Sequence, residues 1–118
     1  MQTPWWLPFG SVPGISPEDL AKLVETKTGL QLLDVRSAAE FADGHLPGAV
    51  SIPITALASR LPSLPFDKTR PVVAICLSAH RSIPAVRLLE RAGFVDVRQL
   101  EGGMIAYRRL KPESLEVG

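Results

Sequence analysis

The sequence alternates short apolar runs with segments of helical pattern, and this alternation constrains the fold more than any other feature. Four segments are predicted to be strands, at residues 30–35, 49–52, 72–76 and 95–100. The run at 72–76 is the clearest buried strand among them. Strands that alternate with helices in this way form a parallel sheet covered by helices on both faces. We therefore predict an α/β fold.

Helices are predicted between these runs. Ser16 can cap a helix that has Pro17 and two acidic residues in its first turn, and Gly29 stands just past its expected end. Further helices are predicted at residues 37–42, 55–61, 82–92 and 103–110.

The first residues differ from the rest. Residues 1–13 contain three prolines and the aromatic residues Trp5, Trp6 and Phe9, so we interpret them as an extended arm. The arm either covers an apolar edge of the domain or docks a partner or a second copy. Residues 14–118 are predicted to form one domain.

Size and charge limit the possible functions. A chain of 118 residues supports one core, and its net charge of +1 gives no reason to expect a nucleic-acid or acidic-membrane partner. No apolar run approaches a membrane span, and no signal peptide is expected. A single cysteine cannot form an internal disulfide, so we expect the cytoplasm, where a free thiol survives. Nothing in the sequence indicates an oligomeric state.

The polar clusters are placed where a ligand site is expected. In an open parallel sheet the carboxyl ends of the strands share one edge, and ligands bind there. Residues 34–36, 76–82 and 101–103 all fall at the carboxyl ends of predicted strands. The fold therefore brings three clusters that are far apart in sequence to one rim.

Cys76 stands out among these residues. It ends the apolar run 71–76, and a short polar loop leads from it into a helix. Backbone N–H groups of such a loop, with a helix N-terminus behind them, favour negative charge and hence a thiolate. Cys76 is a candidate nucleophile, although a cysteine at a strand end is also commonly a small core residue.

Three motifs resemble those of the rhodanese domains. DVRSAAEFADGHLPGAVSIP (34–53) is similar to the family's first pattern, CLSAHRS (76–82) to its active-site loop, and LEGGMIAY (100–107) to its closing motif. Leu46 and Tyr107 replace the usual isoleucine and tryptophan. The resemblance extends from about residue 14 to residue 110. It implies a three-layer α/β/α fold around a five-stranded parallel sheet.

The resemblance also implies an activity. Rhodaneses move a sulfane sulfur from a donor such as thiosulfate, through a cysteine persulfide, to cyanide or a thiol, including a protein thiol. Cys76 would carry the persulfide, and Asp34 and Arg36 would support the site. No cofactor or metal is implied. The substrate-binding residues would be those of the loop: Leu77, Ser78, Ala79, His80, Arg81 and Ser82.

Arg81 has a planar cationic head suited to an oxyanion, and it could also fix the loop by bonding its carbonyls. The family's loop often has glycine where this chain has Ala79, which puts the donor preference in question.

Two other functions remain open: a cysteine phosphatase or arsenate reductase of similar fold, and a non-catalytic binding module. Four residues separate Cys76 from Arg81. The phosphatases have one more, so the spacing favours sulfur chemistry. The intact Cys76 and Arg81 count against a non-catalytic module.

Other polar residues have structural interpretations. We expect Asp34 and Arg36 to form a hydrogen-bonded pair near the rim and His45 to pack within its turn. Glu40 is expected to support its own helix. Gly102 and Gly103 are interpreted as a tight turn before the last helix.

Overall fold

The computed structural model describes residues 12–26, 29–78, 81–110 and 115. The strands in these ranges are β1 (Gly14–Ile15), β2 (Gln31–Asp34), β3 (Val50–Ser51), β4 (Val72–Ile75) and β5 (Val97–Leu100). The helices are α1 (Pro17–Thr26), α2 (Ala38–Ala42), α3 (Ile54–Arg60), α4 (Ser82–Arg91) and α5 (Gly103–Leu110), with a 3-10 turn at Leu61–Ser63. The arm at residues 1–11 lies outside the described residues.

All five strands pair in parallel, in the order β1-β5-β4-β2-β3. The α/β fold and the five-stranded sheet are confirmed, and the four strands read from apolar runs are present. β1 was not among those four, because a strand of two residues beginning with Gly14 has no apolar run to reveal it. Its neighbour β5 aligns it, with Gly14 in register with Gln99.

Two apolar clusters cover the two faces of the sheet. Alternate residues of each strand point to opposite faces, so β4 contributes Val72 and Ala74 to one cluster and Val73 and Ile75 to the other. The first cluster packs against α3 and α4, and the second packs against α1 and α5. This arrangement gives three layers, with β4 in the middle of the sheet.

The helix starts follow the predicted chemistry. The Ser16 hydroxyl accepts from the amide of Asp19 at 3.1 Å, which caps α1. Ser37 and Glu40 form a reciprocal capping box at the start of α2. α3 ends at Arg60, before Pro62, and the chain continues directly into the 3-10 turn that contains this proline. Among the described helices, none is both long and apolar enough to cross a bilayer.

Candidate active site

Cys76 directly follows β4, at the carboxyl edge of the sheet. Its side chain lies on the same face as Val72 and Ala74, in the cluster covered by α3 and α4. The residue is only 1% exposed. Such burial is common to core cysteines, so the case for a nucleophile depends on what surrounds the sulfur.

A buried polar chain begins at the sulfur. The Cys76 Sγ lies 3.6 Å from the hydroxyl of Ser82, the first residue of α4, which has no exposed surface. That hydroxyl donates to Oε1 of Gln99 on β5 at 3.0 Å. A hydroxyl at this position can accept from a thiol or donate to a thiolate. The sulfur therefore has a polar partner that serves both of its protonation states.

The first turn of α5 holds the loop from the other side. The amides of Met104 and Ile105 donate to the carbonyls of Cys76 and Leu77, at 2.8 and 3.0 Å. A Cβ on Gly103 would lie 2.5 Å from the Cys76 carbonyl oxygen, and Gly103 has φ +62°. The glycine pair at 102–103 thus forms the predicted tight turn, and it also lets a helix dock on the loop backbone.

Arg81 forms an ion pair with Glu40. Its Nη1 and Nη2 donate to the two carboxylate oxygens of Glu40 at 2.6 and 2.9 Å, with both side chains a little over a quarter exposed. This pair was not predicted. Glu40 supports its own helix as expected, but it also reaches across the rim, because β2 and β4 are neighbours and their following segments meet.

The ion pair shifts the pKa values of both partners. The hydrogen bond from Arg81 lowers the pKa of Glu40 to about 2, although desolvation opposes the shift. Two bonds with Ser37 contribute in the same direction as Arg81. The pKa of Arg81 is raised, chiefly by its hydrogen bond to Glu40 and further by the nearby groups of Cys76 and Asp34. Arg81 therefore lies within electrostatic reach of the candidate nucleophile.

Asp34 and Arg36 form the predicted structural pair. The guanidinium of Arg36 contacts both oxygens of Asp34, the shortest contact being 2.8 Å, and both side chains are 1% exposed. Arg36 also donates to the carbonyl of Gly44 at 2.7 Å. The pair connects the end of β2 to the turn after α2. It therefore helps to fix the position of α2, the helix that contains Glu40.

The remaining candidates fall into three groups. Leu77 and Ser78 are exposed and form the outer surface of the loop. His45 is buried in its turn, with its ring stacked on Phe41 at 3.7 Å between centroids, as predicted. Ala79 and His80 lie outside the described residues. In the part of the chain that the structure describes, no three His, Cys, Asp or Glu side chains cluster as metal ligands.

The comparisons with known proteins identify the family. The model of the rhodanese-like domain matches residues 16–110, and the chain belongs to that family. A crystal structure of a rhodanese-like domain protein from Staphylococcus aureus superposes with a TM-score of 0.78 at 31% identity, covering 91% of this chain and 99% of that one.

Two curated relatives differ in size. A protein named sulfurtransferase from Allochromatium vinosum is 35% identical over 95 residues, covering 80% of this chain and 87% of that protein. A helix-turn-helix type transcriptional regulator of Mycobacterium tuberculosis is 40% identical over 100 residues, covering 79% of this chain. The chain spans only 43% of the regulator's length.

Proposed function

We propose that the chain is a sulfurtransferase that carries a sulfane sulfur on Cys76. The observation that supports this most is the placement of a lone thiol at the end of the central strand, 3.6 Å from a buried hydroxyl. Membership of the rhodanese-like family and the sulfurtransferase among the relatives support the same class of reaction.

The reaction proceeds in two half-reactions. The Cys76 thiolate attacks the outer sulfur of a donor such as thiosulfate, the S–S bond of the donor breaks, and sulfite leaves. Cys76 then holds a persulfide with the same total charge. Cyanide or a thiol attacks the terminal sulfur in turn and leaves as thiocyanate or as a new persulfide, which restores the thiolate.

The start of the loop and the start of α4 have separate tasks in this cycle. Main-chain amides of the loop after Cys76 stabilise the thiolate and the persulfide, as preorganised donors do for developing charge. Once the thiol proton has left, the Ser82 hydroxyl rotates from Gln99 and donates to the sulfur. Because Cys76 is 1% exposed, a donor reaches the sulfur only when the loop opens. The carbonyls of Cys76 and Leu77 are hydrogen-bonded to α5, so this end of the loop stays fixed.

Steady-state kinetics test the proposal. Thiosulfate or an alkyl persulfide whose alkyl group carries no charge is supplied as donor and cyanide as acceptor, and thiocyanate is measured. We expect parallel double-reciprocal lines, which indicate a ping-pong mechanism. Cys76→Ser should abolish transfer. A variant with normal folding and undiminished transfer without this thiol would overturn the proposal.

A further inference from the structure

The Arg81–Glu40 pair bears on the choice of sulfur donor. Arg81 is the loop cation that an oxyanionic donor needs, because guanidinium groups bind such anions in bidentate fashion. In the structure, Glu40 already occupies two donors on this guanidinium, at 2.6 and 2.9 Å. These N–H groups are the ones with which Arg81 would bind the sulfonate oxygens of thiosulfate in bidentate fashion.

The carboxylate of Glu40 is held in place from its own helix as well. The amide of Ser37 donates to Oε1 of Glu40 at 2.9 Å, and the amide of Glu40 donates to the Ser37 hydroxyl at 3.2 Å. A carboxylate fixed in this way loses little further freedom when it pairs with Arg81. It is therefore an effective competitor for an incoming anion.

The charge of the pair leads to the same conclusion. Arg81 keeps further N–H groups, but its positive charge is balanced by Glu40 at direct contact. A dianion that approaches the loop thus meets a neutral pair and the negative edge of Glu40. A donor without an oxyanion does not have to displace Glu40 from Arg81, and the Glu40 carboxylate repels it less.

We propose that Glu40 determines donor specificity, and that the chain uses persulfides of the form R–S–SH in preference to thiosulfate. This inference rests on the proposed function. In the step it favours, the Cys76 thiolate attacks the outer sulfur of R–S–SH, the S–S bond of the donor breaks, and R–S⁻ leaves. The outer sulfur and its proton pass to Cys76, so atoms and charge balance.

Glu40→Gln tests the assignment with little disturbance of α2, since glutamine also completes a capping box. The readout is the ratio of kcat/KM for thiosulfate to kcat/KM for an alkyl persulfide whose alkyl group carries no charge. We expect this ratio to rise about three- to tenfold in Glu40→Gln. Glu90→Gln is the matched control, because it removes a carboxylate paired with Arg87 on α4, and it should leave the ratio unchanged. An unchanged ratio in Glu40→Gln would overturn the assignment.

A second measurement does not need turnover. Sulfate is an unreactive analogue of thiosulfate, and its binding at Arg81 should protect Cys76 from iodoacetamide at constant ionic strength. The half-protecting sulfate concentration should fall about three- to tenfold in Glu40→Gln. The gain should disappear when Arg81→Gln is added. Equal concentrations in wild type and Glu40→Gln contradict the assignment.

The two proposals fail in different ways. If neither donor transfers sulfur to Cys76, the sulfurtransferase proposal fails, and the preference for persulfides fails with it. The sulfate measurement then still decides whether Glu40 blocks an anion site at Arg81. If both donors react and Glu40→Gln changes neither readout, the sulfurtransferase proposal stands and the role of Glu40 is wrong.

Discussion

The main-chain amide of Met104 donates a 2.8 Å hydrogen bond to the carbonyl oxygen of Cys76, so the first turn of α5 rests directly on the residue that ends the central strand. Gly103 makes this approach possible, because it has no side chain and adopts a positive φ. The closing motif of the sequence thus fixes the backbone of the candidate nucleophile.

Gly103→Ala should destabilise the protein more than the backbone strain alone accounts for. Gly48→Ala is a matched control, since Gly48 also has a positive φ but nothing within 4 Å of an added Cβ. We expect Gly48→Ala to lower the free energy of unfolding by about 1–2 kcal/mol, and Gly103→Ala by roughly 3 kcal/mol or more. Urea unfolding measures both. Equal losses would show that the close contact between Gly103 and the backbone of Cys76 does not contribute to the free energy of unfolding.

The buried Asp34–Arg36 pair should be costly to break. Asp34→Asn keeps the shape of the side chain but leaves the Arg36 charge buried without its counter-charge. The expected loss in the free energy of unfolding is about 3–5 kcal/mol. Asp96→Asn is the control, because its ion pair with Arg98 is largely exposed, and it should cost about 0.5 kcal/mol or less. A similar small effect at Asp34 would contradict a structural role for the pair.

Removing the hydroxyl of Ser82 should make Cys76 less reactive. Ser82→Ala takes away the hydroxyl that the start of α4 places 3.6 Å from the sulfur. We expect the rate of iodoacetamide alkylation near neutral pH to fall about three- to tenfold, because the thiolate loses a hydrogen bond. Ser59→Ala removes an exposed hydroxyl in α3 and should leave the rate unchanged. An unchanged or faster rate in Ser82→Ala would contradict a hydrogen bond from this hydroxyl to the thiolate.

The Glu40–Arg81 pair should contribute stability that depends on pH. The pKa of Glu40 is lowered from 4.5 to about 2 by the hydrogen bond from Arg81. A lowered pKa in the folded state stabilises the protein above pH 4.5, and this contribution is lost as the pH falls through about 2. Because the pair is partly exposed, we expect about 1 kcal/mol at pH 7, with most of it lost by about pH 3.

Urea unfolding of wild type, Glu40→Gln, Arg81→Gln and the double variant at several pH values measures this contribution. The coupling energy from this cycle should shrink between pH 4.5 and pH 2. A coupling energy that is constant over that range would contradict the pairing.

Local patterns were enough to predict most of the fold. The apolar run at 72–76 marks the buried strand β4, the segment 95–100 marks β5, and Ser16 marks a helix start whose cap is present. β1 could not be found in this way, because this two-residue strand is formed by its pairing with β5 and its own residues show no strand pattern. Such a strand depends on tertiary contacts that a single sequence does not display.

The site was only partly predictable for the same reason. Cys76 and the Asp34–Arg36 pair are marked by their positions after strands. The partnership of Glu40 with Arg81 spans 41 positions and has no local signature. Its one signal is the sheet order: with β2 beside β4, the segments that follow them must meet. Gln99 is similarly placed by register, next to Ala74 and on the face of Cys76.

Intact-mass measurement of the loaded protein shows whether Cys76 takes up a sulfur atom. The protein is incubated with thiosulfate or with an alkyl persulfide whose alkyl group carries no charge, freed of donor without reductant, and weighed. We predict a gain of about 32 Da, the mass of one sulfur atom, which cyanide removes and which Cys76→Ser lacks. No gain with either donor, or an equal gain in Cys76→Ser, would contradict the account.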